Sequence, residues 1–500
     1  MFNIIKLNEK DNIGIALMDI PENVDLNYGI KSKTKVPYGH KISIKDIKKG
    51  EFIFRYGQII GISLANIIKG EHVHSHNLSF SEFERNYKND FDHKISNSIN
   101  NEIFFNGYKR ENGTSGTRNY IGLISTVNCS ATVVKKIADK VNFKLKELSF
   151  NNVDGAVCLK HSSGCGMNTT SYGMNVFNRT IEGFKVHPNF AKVYVIGLGC
   201  ECAQISLYNN DQTNRNVEYL NIQDEGGTKE IVNKVSLKII DQLEKINKIK
   251  RTSIPVSELT LALQCGGSDS YSGITANPAL GFASDLLVDC GGSSILSETP
   301  EIYGAEHLLY ERSTNKLNIE KIEKQIDWWK DHLKKSNSAL DNNPSPGNKK
   351  GGLTTILEKS LGAVSKSGTK NMVDVLDYAE RIKYKGFNFM NSPGYDPVSV
   401  TGQVASGSNI ICFTTGRGSC FGFKPAPSIK IATNTNMFNK LEEDMDINAG
   451  TIMDNEKSIE EVGKEIFNKI ISVASGEKSK SEINDYGDDE FNPWIIDPTL

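Results

Sequence analysis

The chain has 500 residues, 38% of them hydrophobic and 24% charged, and its 58 basic and 60 acidic side chains leave a net charge of −2. That length is too great for one hydrophobic core and predicts two to four domains, while the near-cancelled charge removes any electrostatic drive toward nucleic acid or an anionic membrane. No apolar run suits a signal peptide or a bilayer span, so a cytoplasmic protein is expected, and nine cysteines, an odd number, point to thiols or metal ligands over a disulfide framework.

Residues 1–78 carry short β-like runs (NIGIALMDI, HKISI, EFIFRYGQIIGISL) broken by turn residues, which predicts a small β-rich domain. Residues 79–104 are polar, lack an apolar face and read as a linker. From residue 105 the texture changes. YIGLISTV (120–127), VDGAVCL (153–159) and KVYVIGL (192–198) are near-continuous apolar runs, as strands buried on both faces should be. Loops and helical patterns follow them; Val133, Val134, Ile137, Ala138 and Val141 recur at helical spacing after a capping Ser130. A helix over about 225–250 closes this second domain. The region 251–500 opens with ELTLALQCGG and adds runs at 293–297, 386–392 and 409–416, so the fold class is multidomain α/β with parallel sheets. The acidic, then aromatic tail SEINDYGDDEFNPWIIDPTL is expected to be mobile or to dock on a partner subunit of a homo-oligomer.

Ligands of open parallel sheets bind beyond the carboxyl ends of the strands, and the unusual residues of this chain fall there. The runs end in Asn128-Cys129-Ser130, in His161-Ser162-Ser163-Gly164-Cys165, in Gly199-Cys200-Glu201-Cys202, in Gln264-Cys265-Gly266-Gly267-Ser268-Asp269 and in Gly416-Arg417-Gly418-Ser419-Cys420. A single free cysteine is usually a small, inert core residue, and Cys158, Cys290 and Cys412, inside apolar runs, are assigned to packing. Repeated cysteines beside glycines are a stronger signal, because glycine lets the backbone approach a ligand. GLGCEC is no dinucleotide fingerprint, since Cys202 holds the third glycine position. Asp269 and Glu298 are candidate bases or metal ligands, and Arg118, Arg381 and above all Arg417 are candidate carboxylate clamps.

GEHVHSHNL (70–78) sets His72, His74 and His76 at alternate positions. On a strand these would share a face, and neutral imidazoles suit Fe, Mn or Zn. His40, in YGHKISI, is a fourth candidate if the domain folds back on itself.

YGHKISI, KGEHVHSHN, GYKRENGTSGTRN, TVNC, HSSGCG, IGLGCE, QCGGSDSYSGITANPALG, NPSPGNKKGGLTTILEKSLG, FTTGRGS and MDINAGTI occur in an order that resembles the altronate/galactarate dehydratase family over essentially the whole chain. The resemblance implies an N-terminal SAF-type β domain followed by two α/β domains, and a lyase needing a divalent metal, Fe²⁺ or Mn²⁺, with the histidine run resembling the altronate branch. It implies dehydration of a small sugar acid: D-altronate to 2-keto-3-deoxy-D-gluconate, with D-galactarate or a sulfolactate-type elimination as alternatives. On that reading His74, His76, His40 and His161 are the catalytic candidates, and His72, His74 and His76 the metal candidates. Arg417, Arg118, Asn128, Ser268, Asp269 and Asn277 are the substrate-binding candidates. An iron–sulfur cluster on Cys129, Cys165, Cys200 and Cys265 is the alternative cofactor, against which their long spacing argues.

Overall fold

The structure, a computed structural model, describes residues 3–83, 87–88, 91, 102–209 and 216–497. Strands Ile4–Ile5, Ile13–Ala16, Lys41–Ser43 and His72–Val73 pair antiparallel in that order, and Phe52–Arg55, Gln58–Ser63 and Leu78–Ser79 form a second antiparallel sheet. The expected N-terminal β domain is therefore present, but its core is only partly its own. Ile4, Ala16, Ile20, Leu26, Ile30, Val36 and Ile42 fill one side. Ile13, Ile15, Ile53, Ile60, Val73 and Leu78 instead join one continuous apolar cluster with Leu280 and Leu361 of the C-terminal region. All four residues of Ile13–Ala16 are buried, so the strand covers apolar surface on both faces.

Most of the expected linker, residues 79–104, lies outside the described residues. Ser79 closes a strand and Phe104 opens another, Phe104–Lys109, which pairs antiparallel with Ser115–Gly116 and Thr252–Pro255. This ribbon is where the chain enters and leaves the second domain.

There, among the described residues, four parallel strands run in the order Gly155–Leu159, Tyr120–Ser125, Phe190–Gly197, Val217–Asn221. Helices Asn128–Glu147, Tyr172–Lys185 and Thr228–Asn247 follow three of them. Val217–Asn221 (VEYLN) escaped the apolar-run reading because its glutamate and asparagine interrupt it.

The C-terminal region builds a seven-stranded parallel sheet, again counted over the described residues. Its order is Met372–Leu376, Phe387–Met390, Ser293–Leu296, Thr260–Cys265, Ile410–Thr415, Ser428–Ala432, Ile447–Asn448. The chain winds first to one side of Thr260–Cys265 and then to the other. The carboxyl end of that central strand is therefore the topological switch point, where crossovers on opposite faces leave a crevice. The tail docks on its own chain: Phe491 meets Phe184 of the second domain edge-on at 4.8 Å, and Trp494 stacks on Trp329 of the C-terminal domain at 5.3 Å. Among the described residues no helix is long and apolar enough to cross a membrane.

Candidate active site

The crevice predicted by the topology holds a cavity of about 500 Å³, lined at its base by Cys265, Gly266, Gly267, Glu301, Lys359 and Asp396. Each comes from a different local device. Cys265 ends the central strand. Gly266 follows because any Cβ there would lie 2.3 Å from Asp396 Oδ2. Asp396 opens helix Asp396–Ser406 and accepts a 2.9 Å hydrogen bond from Gln264 Nε2, while Gln264 Oε1 accepts one from Ser399 Oγ. Glu298, two residues beyond Ser293–Leu296, sits in the left-handed region at φ 75°, a costly conformation for a non-glycine that marks functional turns. Lys359, in helix Ile356–Val364, donates to Glu301 Oε1 (2.6 Å) and Asn343 Oδ1 (2.9 Å); Lys366, just beyond that helix, donates to Cys265 Sγ (2.7 Å).

The group is almost wholly buried, and burial governs its charges. Burial, with Glu301 beside it, pushes the Glu298 carboxyl well above its ordinary value. Burial also raises the Asp396 carboxyl to about 6 against the pull of Gln264. For Glu301 the burial cost is outweighed by Lys359 and Lys366, which hold its carboxyl below the usual range. Two carboxyls raised by burial and one held low by lysines thus share a pocket with two ammonium groups, a set of pKa values pushed apart in the way acid–base sites are.

Among the described residues, Cys265, Glu298 and Glu301 form the one group of three His, Cys, Asp or Glu side chains whose ligand atoms lie within 4.8 Å of one another. Glu298 Oε2 and Glu301 Oε2 are buried without a hydrogen-bond partner. Buried carboxylate oxygens are ordinarily satisfied, and a thiol that deprotonates on metal binding together with two carboxyls offers a divalent ion three donors. The residues present therefore fit a divalent ion.

The expected histidines are gathered, but differently from the alternating strand face. The strand ends at Val73, and Asn77 closes a turn by accepting from His74 N and donating to His72 O. His40 and His72 meet nitrogen to nitrogen at 3.0 Å, and the His40 and His74 rings stack at 4.7 Å. His74 Nε2 and His40 Nε2 bond to the carbonyls of Lys349 and Lys350, while Ser345 and Asn348 of the same short turn line the cavity. The histidines thus brace a wall of the site from outside, and no three of their nitrogens come within reach of one ion. Burial lowers His72 to about 3 and His74 to about 4, aided by neighbouring imidazoles and by Lys41. His76 is exposed.

Other expected residues are committed elsewhere. All five N–H donors of Arg118 are spent, two on the Glu482 carboxylate and three on the carbonyls of Thr117, Val473 and Glu477, leaving none for a substrate. His161 donates from Nε2 to Ser125 O and accepts at Nδ1 from Ser163 N, so it pins the loop; burial lowers it to about 4. Asp269 accepts from Tyr271 N, Ser272 N, Thr433 Oγ1 and Asn434 Nδ2 and knits two strand ends together. Asn277 joins Thr414 to Gly362, and Asn128 donates to His161 O. Ser268 lies buried beside the cavity, its hydroxyl without a hydrogen-bond partner among the described residues. Arg417 is exposed, with no side-chain partner among the described residues, and its N–H donates to the carbonyl of the cavity-lining Gly267, which sets it on the rim. Arg381 is also exposed, on the loop before Phe387–Met390. Cys290 and Cys412 are buried as packing residues should be, and Cys158 is half-buried against the second-domain core. Cys129, Cys165 and Cys200 are exposed on the second domain while Cys265 is buried at the other sheet, so the four do not share one cluster. Sequence reasoning missed Glu301, Lys359, Lys366 and Asp396. The available signal was a lysine inside the apolar helix ILEKSLGAV.

Three family descriptions match the chain: "Altronate/galactarate dehydratase SAF domain" over residues 2–81, "D-galactarate dehydratase/Altronate hydrolase, second domain" over 107–247, and "D-galactarate/Altronate dehydratase, C-terminal" over 256–499. The chain belongs to the altronate/galactarate dehydratase family, and it is a hydro-lyase. An altronate dehydratase of Bacillus subtilis is 36% identical, covering 97% of this chain and 98% of the relative; one of Escherichia coli is 34% identical, covering 96% and 97%. The galactarate dehydratase (L-threo-forming) of Escherichia coli is 37% identical, covering 95% and 93%.

Proposed function

We propose that the protein is a cytoplasmic, metal-dependent sugar-acid dehydratase that converts D-altronate to 2-keto-3-deoxy-D-gluconate in the cavity at the end of strand Thr260–Cys265. The observation that carries this reading is the coexistence, around one crevice of about 500 Å³, of two buried carboxylate oxygens without hydrogen bonds, a thiol, two ammonium groups and a carboxyl raised to about 6.

β-Elimination of water removes the C2 proton and the C3 hydroxyl of the acid, and the enol so formed tautomerises to the 2-keto product. The C2 proton is weakly acidic, so the site must hold a base, a proton donor and positive charge near the substrate carboxylate. Asp396 is the base: at neutral pH it is mostly ionised, yet more basic than an ordinary carboxylate. Lys359, beside Glu301, delivers a proton toward the departing hydroxyl. Cys265, Glu298 and Glu301 would hold Fe²⁺ or Mn²⁺, which supplies charge stabilisation as the substrate carboxylate gains enolate character. Arg417 on the rim clamps the carboxylate in two-pronged fashion.

Altronate presents one carboxylate, which matches one unpartnered guanidinium on the rim, and the HVHSHN run resembles the altronate branch. Galactarate is the second reading, favoured by the 37% identity to a galactarate dehydratase. The test is a panel of aldonates and aldarates, with Fe²⁺ or Mn²⁺ under reducing conditions, read by 2-keto acid formation. Turnover of altronate well above galactarate supports the reading. Preference for galactarate moves the substrate, and no dehydration of any sugar acid overturns it.

A further inference from the structure

The second domain carries a feature the cavity does not use. Cys129, Cys165 and Cys200 are all exposed, unlike Cys265, Cys290 and Cys412, and none of the three thiols has a partner among the described residues. They are 36 and 35 residues apart in the chain, yet they stand on the three loops leaving neighbouring parallel strands Tyr120–Ser125, Gly155–Leu159 and Phe190–Gly197.

The loops are bonded to one another directly beside each cysteine. Asn128 N donates to Ser163 O at 3.0 Å, and Ala203 N donates to Gly164 O at 3.2 Å. The buried Glu201 carboxylate accepts from Thr126 Oγ1 (2.6 Å), Leu198 N and Gly199 N, so it ties the third loop to the end of strand Tyr120–Ser125. Gly164 lies at φ 100°, and a Cβ there would sit 2.1 Å from Thr126 O; only glycine lets the second loop come this close. Gly199, at φ 126°, turns the chain immediately before Cys200. Cys129 lies in the first turn of the 20-residue helix Asn128–Glu147, where the helix dipole favours negative charge.

We infer that Cys129, Cys165 and Cys200 hold an iron–sulfur cluster. A single tetrahedral ion with metal–sulfur bonds of about 2.3 Å needs its sulfurs roughly 3.8 Å apart. No three of the second-domain thiols, Cys202 included, meet even a 4.8 Å limit, although their loops adjoin. Three thiols on loops hydrogen-bonded to one another, not close enough for one ion, suit the wider footprint of a cluster, which cysteine thiolates bind. Three thiolates leave one iron without a protein ligand, facing solvent. Cys265 takes no part, so this site is separate from the cavity and does not rest on the proposed substrate.

The test uses the full chain, purified without oxygen and reconstituted with ferrous and ferric iron and sulfide. The measurements are iron and acid-labile sulfide per chain, visible absorption, and protection of individual thiols from alkylation by mass spectrometry. The wild type and Cys265→Ala should take up equal amounts of labile sulfide and protect Cys129, Cys165 and Cys200, with iron differing by no more than the one ion of the cavity. The triple variant C129A/C165A/C200A should lose labile sulfide entirely and keep no more iron than the one ion of the cavity, while its circular dichroism stays unchanged. Iron bound without labile sulfide, cluster retained in the triple variant, or full alkylation of the three thiols in reconstituted wild type would each overturn the inference. The alkylation arm reads the wild type alone, so it stands even if the triple variant does not fold.

Discussion

Asp396 shows how a single residue acquires a role from its surroundings. An exposed aspartate is ionised and feebly basic at neutral pH; in the crevice, burial lifts its carboxyl to about 6 and Gln264 orients it. A base works only when deprotonated, so kcat/KM should fall as pH drops below about 6. Asp396→Asn should lower kcat by about 10²–10⁴-fold and abolish that acid limb, as steady-state kinetics across pH would reveal. Arg417 has the opposite character, exposed and uncommitted. If it clamps the substrate carboxylate, Arg417→Ala removes a charged hydrogen-bonded contact worth about 1.5–3 kcal/mol. The result should be KM raised roughly tenfold or more, with kcat changed far less.

At the scale of elements, the N-terminal strands are locked to the C-terminal domain by a buried charge cluster. Lys41 of strand Lys41–Ser43 and Arg55 of strand Phe52–Arg55 both bind Glu358 of helix Ile356–Val364, with every side chain fully buried. Arg55 also bonds Ser270, and Lys41 the carbonyl of Gly352, so the lock reaches the loops that frame the cavity. Burial alone would raise the Glu358 carboxyl, but Lys41 and Arg55 hold it down to about 2. A carboxylate depressed on folding stabilises fully above its unfolded value near about 4.3 and loses that contribution as pH falls through the folded value. Acid unfolding of the wild type should therefore show stability lost between about pH 4.5 and 2, a step missing in Glu358→Gln. Because removal of one partner strands two buried cations, Glu358→Gln should also cost about 3–5 kcal/mol near neutral pH, measured by urea unfolding. The histidine cluster works at this scale as well: neutral imidazoles hold the carbonyls of Lys349 and Lys350 and so steady the turn that carries Ser345 and Asn348.

In the whole molecule, the tail closes the assembly of domains. Phe491 and Trp494 are buried between the second and C-terminal domains, against Phe184, Tyr378 and Trp329. Burying two such side chains contributes about 3–6 kcal/mol at ordinary transfer values. Truncation after Glu490 should lower the melting temperature and raise the exposure of Trp329, read by a red-shifted tryptophan emission. An unchanged melting temperature would show that the tail contributes no stability where it lies.

The strands Tyr120–Ser125, Thr260–Cys265 and Ile410–Thr415 were legible from residues alone, because a strand covered on both faces must be apolar throughout. So was the placing of Cys129, Cys165, Cys200 and Cys265 at strand ends, since glycines mark where a parallel strand gives way to its loop. Strands such as Ser428–Ala432 and Met372–Leu376 were not, because Lys430 and Asp374 break their runs. Nor could any spacing reveal which strand ends adjoin. Cys265, Glu298, Glu301, Lys359, Lys366 and Asp396 span 132 residues and meet only because the sheet reverses its winding at one strand. Arg118 looked available until Glu482, 364 residues away, folded onto it. Sequence alone determined what is apolar and where turns fall, since those are local demands of burial and backbone geometry. Which charged groups share a pocket, and therefore what their pKa values become, depends on long-range packing, and only the tertiary structure decided it.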